Sequence, residues 1–278
     1  MMLRRDFLAR AAIAAGAAAL PLRAFSEKRR PAVTDAGAPV PVCRWLFQEP
    51  AGAARVSEGR HAYALAEREG PVARAGDGVC GPFCAELREG QWFNLPRADC
   101  PALNLHGARP LSIVAWVWRA RKSFRQCEAV AGMWNETGGT RQYCLFLDLG
   151  IWDSRDSVCG HVSATGRPSP GYKYCMEAGI GARPVTFGEW HQVAFTFDRN
   201  WVRVYLDGAL DYRPGLSPYF WPRAIHDGGA GGSDFTVGAV FRSGEMGNHF
   251  VGRIGGLAVY DTALSAGQIA ALHAARAC

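Results

Sequence analysis

Period two dominates the chain. In "WHQVAFTFD" Val193, Phe195 and Phe197 alternate with Gln192, Ala194 and Thr196; in "WVRVYLDG" Val202, Val204 and Leu206 alternate with Trp201, Arg203 and Tyr205. Alternation of this kind places one set of side chains on one face of a strand and the rest on the other. Arg199-Asn200 separates the two runs and predicts a tight hairpin, with Asn200 suited to a left-handed turn position. The pattern further expects Trp190, Val193 and Phe195 to be largely buried. "LSIVAWVW", "QYCLFLDLG", "SDFTVGAVF" and "GRIGGLAVYD" are further strand candidates, each bounded by turn or charged residues. Helical periodicity is confined to "SAGQIAALHAARAC", where Ser265 can cap and Ile269, Leu272 and His273 share a face. The expected class is all-β: a two-sheet antiparallel jelly-roll sandwich with a short C-terminal helix.

The N-terminal residues break this pattern. "MMLRRDFLARAAIAAGAAALPLRAF" has a basic start and an apolar run from Ala11 to Leu20, too short to span a bilayer and suited to an export signal over residues 1–24. Arg4-Arg5-Asp6-Phe7-Leu8 resembles a bacterial twin-arginine signal, although Leu3 stands where Ser or Thr is usual. Residues 25–40 read as a Pro/Ala linker, and residues 41–278 as the folded domain. An exported protein, periplasmic or extracellular, is expected.

Composition adds little beyond this. Apolar residues make up 49% and charged residues 20%, enough for a sizeable core. The net charge of +6 includes +3 from residues 1–24, and no basic run with interleaved aromatics occurs, so nucleic acid is set aside. Nine cysteines, at 43, 80, 84, 100, 127, 144, 159, 175 and 278, suit disulfide bonding in an oxidising compartment, with one left over. Only Cys80-Gly-Pro-Phe-Cys84 approaches metal spacing, and no second pair accompanies it.

"GEWHQVAFTFDRNWVRVYLDGAL" resembles the central hairpin of the laminin G-like, concanavalin A-like jelly-roll domains, in which Trp-His opens one strand and Tyr-x-Asp-Gly closes the next. "CRWLFQEPAG", "LSIVAWVWRAR" and "FVGRIGGLAVYDTALSAGQIAAL" fall in the order of that family's first, Ser-x-x-Ala-Trp-Val and closing segments, so the resemblance covers residues 43–275. It implies the jelly-roll fold but not one job, since lectins, adhesion modules, hydrolases and lyases share it. It also implies that the first and closing strands are neighbours, and hence a Cys43–Cys278 bridge as one pairing. A structural calcium is common in the family, but the matching places here are Gln48-Glu49 and Gly255-Gly256. Glu49 alone offers a carboxylate, so no cofactor is expected.

Candidate chemistry is sparse. No Glu-x-Asp-x-x-Glu run of a jelly-roll glucanase occurs, and Glu86 and Glu89 fall on opposite faces of a strand. A lyase needs a group that neutralises a carboxylate and a Tyr or His to move a proton; Arg141, Gln142, His161, Tyr172, Lys173 and Tyr174 are of the right types. Residues 134–177 are the least family-like stretch, and they contain the ligand-binding candidates Trp134, Asn135, Arg141, Tyr143, His161, Tyr172 and Tyr174. Flat rings rimmed by amides and guanidinium suit sugars. Within it, "CGHVSATGRPSPGYKYC" reads as a strand, a Pro/Gly turn and a returning strand, with Tyr172 and Tyr174 facing His161. The leading expectation is a non-catalytic protein binding a glycan or cell-surface polymer. The alternatives are a polysaccharide lyase on the same fold and a structural module of the envelope.

Overall fold

The computed structural model describes residues 39–278; the expected signal and nearly all of the linker lie outside the described residues. Along the chain the strands are β1 (Cys43–Trp45), β2 (Arg55–Val56), β3 (Ala64–Arg68), β4 (Ala73–Gly76), β5 (Phe83–Leu87), β6 (Trp92–Leu95) and β7 (Leu111–Arg119). They continue as β8 (Glu128–Met133), β9 (Tyr143–Leu147), β10 (Ser157–Val162), β11 (Ala178–Pro184), β12 (Trp190–Phe197), β13 (Trp201–Leu206), β14 (Ala209–Leu210) and β15 (Tyr219–Phe220). The last are β16 (Phe235–Val237), β17 (Val240–Arg242), β18 (Glu245–Gly247) and β19 (Gly252–Tyr260), before helix α1 (Ala266–Ala274). One sheet runs β14-β13-β12-β7-β19-β5-β4, with β1 also on β19 and β15 on β13; the other runs β11-β10-β9-β8-β16-β6-β3-β2. All the paired strands are antiparallel, and the expected jelly-roll sandwich is the observed fold.

The alternation of β12 and β13 sets the register. Phe195 pairs with Val204 and Phe197 with Val202, and these four side chains with Val193 and Leu206 are buried between the sheets. Trp190 departs from the expectation. It is half-buried on the outer face, where its Nε1 donates to the Asp77 carbonyl at 3.1 Å. In the turn it is Arg199, with φ 86°, that takes the left-handed conformation, not Asn200. Asp198 explains this: its Oδ1 accepts from the backbone N–H of both Asn200 (3.0 Å) and Trp201 (2.8 Å), fixing the turn one residue earlier. At the hairpin's other end His191 Nδ1 lies 2.9 Å from Asp207 Oδ2, and Asp207 Oδ1 accepts from Gln192 N at 3.0 Å. The Trp-His and Asp-Gly pieces of the motif are thus one hydrogen-bonded unit.

Helix α1 begins with a reciprocal cap, Ser265 Oγ accepting from Gln268 N (3.2 Å) and Gln268 Oε1 from Ser265 N (2.9 Å). It covers the outer face of the first sheet: Ile269 and Leu272 pack with Val114, Trp116, Ala258 and Tyr260. Trp116 Nε1 donates to the Ala277 carbonyl at 2.8 Å, and the His273 ring stacks on Trp116 at 5.2 Å.

The cysteines pair differently in space from the expectation. Cys43 sits in the inter-sheet core, whereas Cys278 is buried on the outer face with the helix, so the sheet stands between them. The neighbour of Cys278 is Cys80. A Cβ on Gly256 would stand 2.8 Å from Cys278 Sγ and 2.9 Å from Cys80 Sγ, so the two sulfurs flank the same backbone position. All nine cysteines are thiols in this structure.

Candidate functional site

The site lies on the outer face of the second sheet. In β9, Tyr143, Leu145 and Leu147 point into the core while Cys144 and Phe146 point out; in β10, Val158 and Val162 point in while Cys159 and His161 point out. Antiparallel pairing puts His161 opposite Cys144 on one side and Ala178 on the other, and Cys159 opposite Phe146 and Ile180. A row of outward side chains thus forms a floor. Trp134, just past β8, closes it: its ring lies 4.2 Å from the His161 ring, and Phe146 meets both edge-on at 5.8 and 5.7 Å.

Above this floor is a hollow of about 360 Å³, lined by Trp134, His161, Arg141, Glu136, Tyr174 and Arg242, with Arg125, Asn248 and Leu149–Ile151 on its rim. The connection between β10 and β11 supplies Tyr174. It is not a returning strand, since β11 begins only at Ala178, but hydrogen bonds shape it. Ser169 N donates to the Tyr174 carbonyl (3.1 Å), Met176 N to Ser169 Oγ (2.9 Å), and Arg223 Nη1 to Glu177 Oε1 (2.6 Å). Gly166, at φ 73°, lets this loop touch the preceding one, because a Cβ there would stand 2.2 Å from the Gly139 carbonyl oxygen.

The polar groups are largely committed on one side. Glu136 Oε1 accepts from Trp134 Nε1 at 3.3 Å, and its Oε2 lies 3.7 Å from an Arg141 nitrogen. Arg141 Nη1 also donates to the Gly166 carbonyl at 3.0 Å, leaving the guanidinium locked beside the hollow. Burial lowers the Arg141 pKa somewhat. Arg242 Nη1 donates to Asn248 Oδ1 at 2.7 Å. His161 Nε2 lies 3.0 Å from the Cys175 carbonyl, which can only accept, so the proton is on Nε2 and Nδ1 carries a lone pair with no protein partner. Burial, and then the neighbouring Arg141, push the His161 pKa down to about 3. At neutral pH this ring is an uncharged acceptor.

The structure brings Trp134, Arg141, His161 and Tyr174 together and places the other candidates elsewhere. Tyr143 is wholly buried in the inter-sheet core, its hydroxyl donating to the Leu103 carbonyl at 2.6 Å, so its ring cannot meet a ligand. Its strand is apolar on both faces, which hid the direction of each side chain. Asn135 faces a separate hollow of about 270 Å³ beside Asn94, Asp234 and Thr236. Tyr172 is exposed and meets Trp152 edge-on at 6.3 Å, with Trp152 Nε1 donating to the Met176 carbonyl at 3.3 Å. Gln142, raised with the proton-transfer candidates, is buried and occupied by Arg97 (2.6 Å) and Asn104 (3.0 Å). Glu136, Arg125 and Arg242 were not singled out in the sequence; Arg242 comes from the distant β17–β18 hairpin, and no local pattern marks it.

The calcium position of the family does not fit this chain. Glu49 faces the buried Arg55 guanidinium at 3.9 Å, and Gln48 is taken up by Leu46 and Phe83 backbone groups. Opposite them, Gly255 lies against Val79 and Trp190, and Gly256 against two thiols. An arginine and a packed, largely apolar wall are poor company for a divalent cation. Among the described residues no group of three or more His, Cys, Asp or Glu side chains could hold a metal ion, and no helix is long and apolar enough to cross a membrane.

Comparison with solved structures finds the same sandwich elsewhere. Domain 4 of the GH43 extracellular arabinanase AbnA from Geobacillus stearothermophilus, in complex with arabinotriose, is similar at 17% identity and a TM-score of 0.53, over 81% of this chain and 98% of that one. The Ruminococcus gnavus IT-sialidase CBM40 bound to α2,3-sialyllactose matches at 15% identity and a TM-score of 0.50, over 68% and 96%. The binding domain of botulinum neurotoxin DC, in complex with rat synaptotagmin II, matches at 10% identity and a TM-score of 0.52, covering 85% of this chain and 52% of that one. At these identities the likeness is one of fold. No curated protein matches the sequence. The family described as the concanavalin A-like lectin/glucanases superfamily matches residues 97–270, more than half of the chain, and to that family this protein belongs.

Proposed function

We propose that this protein is an exported, non-catalytic carbohydrate-binding module and that the Trp134–His161 hollow is where the sugar sits. The observation that carries the reading is a built site on the sheet face: two packed rings, a half-exposed Tyr174 above them, a hydrogen-bonded guanidinium and a neutral, unpartnered acceptor at His161 Nδ1. Tyr174 offers a flat apolar face to sugar C–H groups above a floor in which Trp134 is 1% exposed, while Arg141 and His161 offer one donor set and one acceptor to hydroxyls. That relatives in fold were solved with arabinotriose and sialyllactose supports the class of ligand. The lyase reading of the same residues is the weaker one. A histidine with a pKa near 3 holds a proton too loosely to shuttle it at neutral pH, and Tyr172 stands with Trp152 outside the hollow.

The test is a glycan array followed by titration calorimetry on the full chain. Tyr174→Ala should weaken binding of the best glycan roughly tenfold, about the value of one aromatic contact. Arg141→Lys should weaken it as well, because a single ammonium cannot reproduce the fork geometry. Equal affinity for both variants and the parent would refute the site, and silence across the array would refute the class. Release of unsaturated uronate from polymer panels would favour the lyase instead.

A further inference from the structure

The hollow at Trp134 is the middle of three that run together. A second of about 330 Å³ shares Arg125 and Gln126 with it and is lined also by Arg121, Lys122, Phe124 and Phe187. A third, also about 330 Å³, shares Glu136, Arg141, Tyr174 and Arg242 and adds Lys173 and Ser243. Shared walls make these one trough, which runs from the outer face of the second sheet to the edge of the sandwich, where Arg119 of β7 and Phe187 line it.

Its charge is lopsided. Residues 39–278 carry a net charge of only +2, yet Arg121, Arg125, Arg141, Lys173 and Arg242 all line the trough. Three acids line it too. Glu128 is held by Arg119 at 2.8 Å and Glu136 by Trp134 and Arg141, while Asp148 accepts from Asp156 N at 3.2 Å. Among the described residues, Arg121, Arg125, Lys173 and Arg242 have no carboxylate within ion-pair distance. Unneutralised cations along a groove attract a row of anions. His161 in its wall, 5% exposed and with Nδ1 unpartnered, marks the middle of the groove as a place where a polar ligand group is received.

We infer that the trough holds a run of an acidic polysaccharide, whose carboxylate or sulfate groups meet Arg125, Arg242 and Lys173 while one sugar ring rests in the Trp134 hollow. This rests on the carbohydrate reading above and adds two properties to it: anionic character and a footprint of several sugars. Isolated neutral end sugars would leave the outer cations without partners.

The experiment uses the full chain with size-graded oligogalacturonates, size-graded heparin fragments and neutral arabino-oligosaccharides, in fluorescence anisotropy over a salt series. Affinity for an acidic series should rise with chain length and fall with added salt, as screening of solvent-exposed charges requires. The exposed pair Arg125→Ser/Lys173→Ser should lose roughly tenfold on long acidic oligomers and little on the shortest. The carboxylated and sulfated series identify which anion is read. Neutral oligomers binding as well as acidic ones would overturn the inference and leave the carbohydrate reading standing. Acidic oligomers binding the double variant as tightly as the parent would also overturn it, as would affinity independent of length. Failure of every sugar to bind would remove both readings.

Discussion

Gly160 and Phe195 face each other across the sandwich so closely that a Cβ on Gly160 would stand 2.7 Å from Phe195 Cγ. Gly160 is the inward position of β10 between Cys159 and His161, both of which point out. The Phe195 ring therefore sets the height of the strand that carries His161. The core residue and the site are joined by one backbone.

Phe195→Ala should cost roughly 3–5 kcal/mol, because it leaves a ring-sized cavity in a fully buried position. Gly160→Ala should cost about 1–3 kcal/mol by overpacking. Combined, the two should cost less than their sum: Phe195 Cβ, 2.6 Å from the new methyl, stays in the alanine, but the loss of Cγ and Cδ2, at 2.7 and 2.8 Å, gives the two methyls room to shift apart. Urea unfolding of the four proteins decides it, and strict additivity would mean that the two residues do not touch.

His161 should make the fold acid-sensitive. In the unfolded chain its pKa returns to about 6.5, so below that pH the unfolded state binds a proton that the native ring, near 3, refuses. The stabilisation is complete above pH 6.5 and is lost progressively as the pH falls towards 3. Between pH 6.5 and 4.5 the parent should lose about 2–3 kcal/mol more than His161→Phe. Denaturant midpoints of both proteins across that range give the difference directly, and parallel curves would show that the ring is not shielded.

Arg119, at the end of β7, binds Glu128 through two hydrogen bonds of 2.8 and 3.1 Å, and both side chains are about 1% exposed. The Phe187 ring lies 4.2 Å from the same guanidinium. Glu128→Gln should destabilise by roughly 1–3 kcal/mol, as the buried guanidinium loses one of its two carboxylates and keeps only Asp156, at 2.9 Å. Arg119→Met with Glu128→Leu should recover much of that loss. Thermal melts of the single and double variants distinguish the two outcomes.

Cys80 and Cys278 are the thiols expected to join first under oxidation. Added glutathione disulfide would accept their two hydrogens, leaving as two glutathione thiols while one protein S–S bond forms. Peptide mapping without reduction should recover a Cys80–Cys278 cross-link before any involving Cys43. A Cys43–Cys278 peptide would place the two ends on the same face of the sheet, against the packing seen here.

The hairpin of β12 and β13 was legible because one of its faces is aliphatic and aromatic core throughout, while the other interrupts its apolar residues with Gln192, Thr196 and Arg203. Helix α1 was legible for the same reason, with Ser265 and Gln268 marking its start. The site was only half legible. β8, β9 and β10 are buried on both faces, so "YCLFL" carries no alternation from which to choose between Tyr143 and Cys144 as the outward residue. The loop at 163–177 could be recognised as built, but not that its tyrosines sit outside any strand. Arg242 reaches the hollow through the separate β17–β18 hairpin, tied to it by the bridge between Asn135 and Phe241, a relationship no local window contains. Cys43 and Cys278 mislead for a related reason: adjacency of strands says nothing about which side of the sheet a side chain takes.

Helix α1 and the trough occupy opposite outer faces of the same two-sheet stack. The molecule therefore has a front and a back. Laid on a negatively charged gel, it would settle with the Arg125 and Lys173 side down, keeping the helix towards the water. A fluorophore placed at an exposed helix position such as Ala270 would then stay solvent-quenchable on the gel, whereas one at Ser243, on the lip of the trough, would be shielded.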